Sequence, residues 1–170
     1  MMDYKSKEKL KRDFIKYFGE EKWNAEELMD KVWPDIIRIC DYLGVEPIPV
    51  VMDKFADDAR FMLEEEYIII SDRLVDDLTE VRKCLTHELR HYYQIKLIAS
   101  DDDGVLAKAF REDYNRLNKM TKEELAFNAL ELDAYAFTKY IMNKWYGIKC
   151  PHPDIVIDGM LDLYIKKYLD

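Results

Sequence analysis

The stretch Cys84-Leu85-Thr86-His87-Glu88-Leu89-Arg90-His91-Tyr92-Tyr93-Gln94 places two of the chain's three histidines four residues apart, with a glutamate directly after the first. It lies in a run free of glycine and proline, behind Asp77 and Glu80 at capping-box spacing, which predicts a long helix over 76–100. On a helix, residues i and i+4 share one face about 6 Å apart, so both imidazoles can reach one ion. Glu88 lies one step round from His87, close enough to touch a water on that ion without ligating it. His87-Glu88-Leu89-Arg90-His91 is thus an HExxH pattern, the spacing metal-assisted hydrolysis needs. Zinc lowers the pKa of its bound water to about 7, and a neighbouring carboxylate can take the proton and hand it on to a leaving amine. An incidental pair on an exposed helix face is the alternative.

A catalytic zinc site wants a third protein ligand and one position left for water. A third histidine at the metzincin spacing is absent, because position 94 is Gln and position 97 is Leu. A carboxylate on a second helix is the remaining donor. The stretch 124–142, ELAFNALELDAYAFTKYIM, carries Glu131 among Phe127, Leu130, Ala134 and Tyr135, a setting too apolar to hold a bare charge without a partner. Asp133 and Glu124 are the rival donors. His152 and Tyr135 are candidate stabilisers of the oxyanion formed in acyl transfer, as are Tyr92 and Tyr93. For His152 the alternative is an exposed turn histidine, and for the tyrosines it is core packing. Cys84, one turn before His87, is expected as a small buried filler.

The bulk numbers bound the rest. With 170 residues, 49% of them hydrophobic, the chain is long enough for a single domain with its own core. Five glycines and five prolines argue against a loop-rich or disordered scaffold. A net charge of −9 makes nucleic-acid or anionic-membrane partners improbable, and the basic run near the start (YKSKEKLKRDF, 4–14) reads as the solvated face of a helix. Cys40, Cys84 and Cys150 form no CxxC pair and read as reduced thiols. No apolar run approaches the ~20 residues of a membrane span, and the N-terminus lacks a signal-peptide core, so a cytoplasmic protein is expected.

The expected order is α+β and mostly helical. N-terminal helices fill 1–44, one over 3–18 and one capped by Asn24 and kinked or divided at Pro34. A small antiparallel sheet fills 45–75, with strands near 60–63 and 67–71 after an extended edge segment broken by prolines. After the helix over 76–100, the acidic loop 101–104 ends it without the alternating acids of a calcium loop. A short helix over 105–117, a helix over 121–146 capped by Thr121 and Glu124, and a last helix over 155–169 complete the chain.

The sequence THELRHYYQ (86–94), followed some forty residues on by ELDAYAF (131–137), resembles the HExxH…E arrangement of gluzincin metallopeptidases. It is most similar to the minigluzincins and to the ImmA/IrrE type of peptidase associated with phages and mobile elements. The likeness covers about 60–142. Tyr135 stands where such families often have Asn or Asp, and Arg90 stands where Gly is frequent. The resemblance implies a zincin-like architecture, one Zn2+ per chain on His87, His91 and Glu131, and Glu88 as general base and then general acid. It further implies hydrolysis of peptide bonds in a protein or peptide substrate, which adds as a strand to a sheet edge formed by 67–71. The other outcomes are a catalytically silent binding module acting on a protein partner, and a hydrolase of non-peptide amides.

Overall fold

The computed structural model describes residues 26–54 and 57–170. The expected helix over 3–18, the Asn24 cap and the basic run near the start lie outside them. The chain divides into two compact units, 1–89 and 90–170, and the boundary falls inside one continuous helix.

In the first unit, helix α1 (Glu26–Leu43) is not divided at Pro34. Proline removes one intrahelical donor, and both Pro34 and Asp30, the residue whose carbonyl it deprives, lie on the exposed face. Val32, Ile36, Ile39 and Cys40 form the buried stripe, at the spacing a helix needs to present one apolar face. Gly44, at φ +69°, ends the helix in the left-handed region that glycine enters without steric cost.

Three strands follow: β1 (Val50–Asp53), β2 (Ala59–Met62) and β3 (Tyr67–Ser71). Their order in the sheet is β1-β3-β2. β2 pairs antiparallel with β3, from Ala59 against Ile70 to Met62 against Tyr67, while β1 pairs parallel with β3, from Val50 against Ile68 to Asp53 against Ser71. Two expectations are corrected here. The sheet is mixed rather than antiparallel, and 67–71 is its central strand rather than an edge. Ile68 and Ile70, which share one face of β3, are completely buried, so the central strand packs that face on the core. β2, which carries Arg60, and β1, which follows Pro47 and Pro49, tolerate the outer positions.

Helix α2 (Leu78–Ala99) starts at Asp77, whose side chain accepts from the backbone N–H groups of Thr79 and Glu80, both at 3.1 Å. Arg82 on this helix reaches Asp35 of α1 at 2.8 Å.

The second unit holds the end of α2, then α3 (Val105–Tyr114), α4 (Lys122–Ala126), α5 (Ala129–Tyr146) and α6 (Ile155–Tyr168). Thr121 and Glu124 make the expected capping box. The single helix expected over 121–146 is in fact two. The chain breaks at Phe127, and Asn128 starts α5 by accepting from the N–H groups of Leu130 and Glu131. Gly147, at φ +67°, closes α5. Phe110, Phe137, Ile141 and Met142 are fully buried here. Lys139 of α5 is gripped by Asp158 and Asp162 of α6, each at 2.6 Å. The chain is therefore α+β, mostly helical, with a small three-stranded mixed sheet. No helix among the described residues is long and apolar enough to cross a membrane.

Candidate metal centre

His87 and His91 stand one turn apart on α2, and Glu131 occupies the first turn of α5. One ligand atom from each lies within 4.8 Å of the other two, the one such group of metal-binding side chains among the described residues. The Nε2 of His91 is 3.4 Å from Oε1 of Glu131. Two donors each about 2.05 Å from a tetrahedral ion stand ~3.3 Å apart, so this edge has the length a bound zinc would require. The donor set, two imidazoles and one carboxylate, suits a borderline-soft divalent cation. All three side chains are half-buried, so the group keeps some contact with solvent.

The apolar setting expected for Glu131 is not found, although the residue does lie beside the two histidines. Phe127 and Tyr135 are exposed, and the Glu131 side chain keeps 31% of its surface in water. The break at Asn128 also removes Glu124 from the helix that carries Glu131. Asp133, the nearer rival, is fully buried and turned to other work. It grips Arg90 through two bonds of 2.6 and 2.8 Å, accepts from Nε2 of Gln94 at 2.6 Å and from the Tyr164 hydroxyl at 2.8 Å. Gln94 in turn donates to the Leu130 carbonyl at 2.8 Å and places its Oε1 2.8 Å from Nδ1 of His91. Arg90 is sandwiched between the rings of Tyr93 and Phe137, at 4.6 and 4.7 Å. Burial works to lower the Arg90 pKa, but Asp133 outweighs it and the value is raised; burial, then Asp133, pushes the Tyr164 phenol up as well.

Glu88 is half-buried, and its carboxylate accepts from the backbone N–H of Phe61 on the outer strand β2 at 2.7 Å. Nothing in the sequence announces a partner 27 residues away. Cys84 is half-buried rather than fully enclosed, and burial, then Asp58 and Glu88, pushes its thiol up to about 12. His152 packs edge-on against Tyr135, with ring centres 5.7 Å apart, and its Nδ1 accepts from the Asp154 N–H at 3.1 Å. In the neutral ring that leaves Nε2 as the protonated nitrogen, a hydrogen-bond donor. Tyr92 is buried and Tyr93 lies beneath Arg90, as expected of packing residues. Compared with models of known protein families, with characterised proteins and with solved structures, the chain matches none.

Gln94, Arg90 and Tyr164 are the residues that sequence reasoning did not place at the site. Gln94 carried a signal, since it lies three residues beyond His91 and so on the same helix face.

Proposed function

We propose that the chain is a zinc-dependent metallopeptidase of zincin-like, gluzincin-type design that cleaves peptide bonds in a protein or peptide substrate. The observation that carries this reading is the closeness of His87, His91 and Glu131, with Glu88 beside them and outside the ligand group. A bound zinc would supply a water of pKa about 7 and a Lewis acid for the scissile carbonyl. Glu88 takes the proton of the attacking water and returns it to the leaving amine. Tyr135, one turn after Glu131 on α5, and His152, packed against its ring, would be the donors to the carbonyl oxygen as it gains charge. An extended peptide would lie along β2, the outer strand that already touches Glu88, rather than along the central β3. Structural zinc sites draw on four Cys or His ligands, which the mixed donor set here does not supply.

A second reading, a catalytically silent zincin-like module that binds a protein partner, draws on the engagement of Glu88 by Phe61. Two measurements separate them. Purified wild type should carry one zinc per chain, lost in His87→Ala and Glu131→Ala. Glu88→Gln should retain zinc and lose turnover of a peptide library by at least ~100-fold. Zinc retained in Glu131→Ala would remove the ligand set, and wild type inert towards every peptide tested would favour the silent module.

A further inference from the structure

Gln94 is fully buried, so its amide must be satisfied by protein groups alone. One end of that amide faces the Leu130 carbonyl and Oδ2 of Asp133, at 2.8 and 2.6 Å. Both are acceptors, so the end facing them is the NH2 group, and the orientation is set by the network rather than by choice. The other end is therefore the oxygen, and it lies 2.8 Å from Nδ1 of His91. An amide oxygen can only accept. Asp133 is held as an acceptor in its turn, because Arg90 contributes two donors, Gln94 a third and Tyr164 a fourth, filling the lone-pair directions of both its oxygens.

From this chain of donors and acceptors we infer that Gln94 is a positioning residue that locks His91 as the tautomer protonated on Nδ1, with Arg90 and Asp133 fixing Gln94 from behind. The inference deepens the metal reading and rests on it for its purpose, though not for its test. Its consequence is geometric. In the neutral Nδ1–H ring, Nε2 carries a lone pair and no hydrogen, and it faces the Glu131 carboxylate at 3.4 Å. Two electron-rich atoms so placed repel, and a cation between them converts that repulsion into two bonds. The residues behind His91 thus hold its ring in the form that a metal accepts, before any metal arrives. The tyrosine that completes the set comes from α6, so the last helix of the chain contributes to the ring's orientation through Asp133. The families this chain resembles often have Asn or Asp at the position of Tyr135. Here the contact to a histidine ligand comes from Gln94, within the same helix as that ligand.

The test uses metal-free, full-length protein labelled with 15N at histidine and held near pH 8, where two-bond proton–nitrogen correlations distinguish the tautomers. His91 should show Nδ1 protonated, the minor form of a free imidazole, and Gln94→Leu should return it to the Nε2–H form. In zinc titrations against a competing chelator, Gln94→Leu should bind 10- to 100-fold more weakly than wild type. Tyr164→Phe should fold normally and weaken zinc by a smaller factor. An Nε2–H resonance for His91 in wild type overturns the inference, even if the Gln94 variant does not fold. So does zinc affinity in folded Gln94→Leu within twofold of wild type. Failure of wild type to bind zinc would overturn the metal reading alone, because the tautomer is read without metal.

Discussion

Arg90 and Asp133 show how much the surroundings of one ion pair decide its worth. Their side chains are 6% and 0% exposed, so Asp133→Ala would leave a guanidinium buried without its counter-charge. Breaking such a pair costs about 3–5 kcal/mol, against under about 1 kcal/mol for an exposed pair such as Arg60 with Asp57. Urea denaturation of Asp133→Ala and Asp57→Ala should separate by that margin, and similar losses would show that the buried pair is structurally idle. Cys40 and Cys84 make a second case. Burial, followed by nearby carboxylates, raises both thiols from 9.0 to about 12. Neither should react appreciably with a disulfide reagent at pH 8 until the chain unfolds. Since the folded-state values lie above the unfolded ones, the stability these thiols contribute is intact below pH 9 and is lost as the pH rises towards 12. Alkaline melting curves of Cys40→Ala should therefore be flatter over that range than those of wild type. At this scale the sequence told much about what stands in the motif and little about what stands behind it. His87 and His91 stand together as their spacing implies, whereas Asp133 read as a rival ligand and Arg90 as a mere departure. Their meeting depends on two helices 43 residues apart in sequence, which no local pattern encodes.

The helices were legible wherever their ends carried chemistry the chain could not avoid. Gly44 stops α1, Asp77 starts α2, and the acidic loop after Ala99 ends it. The break between α4 and α5 was missed because no glycine or proline marks it and the apolar residues continue in phase across it. Asn128 was the available sign, since asparagine is among the best N-cap residues. Asn128→Ala should cost ~1 kcal/mol and blur the start of α5, and amide hydrogen exchange at Leu130 and Glu131 should quicken. Gly147→Ala, at the other end, forces a side chain into the left-handed region and should cost about 1–2 kcal/mol by thermal denaturation. An unchanged melting temperature in either variant would mean that α5 takes its limits from packing rather than from its caps.

For the molecule as a whole, the α+β class and mostly helical content were readable from periodicity, while the sheet's order was not. Alternation identifies strands but says nothing of which neighbour each will choose, and the parallel pairing of β1 with β3 joins segments on either side of β2. Under the proposed function, a ligand set spread over α2 and α5 would stabilise the folded chain when metal binds. Zinc at 100 times its dissociation constant should add about 2.7 kcal/mol, or roughly 5–10 °C in melting temperature for a chain of this size. Excess chelator should reverse the shift, and His91→Ala should not show it. The sheet order carries a consequence in time. Met62 and Tyr67 face each other across a turn of four residues, 63–66, whereas Val50 must find Ile68 eighteen positions away. The longer closure costs about 1 kcal/mol more in chain entropy, so the β2–β3 hairpin should zip first and β1 should join last. The strand that touches Glu88 is then among the earliest parts of this sheet to take shape, and β1 is the one whose departure would begin its unravelling.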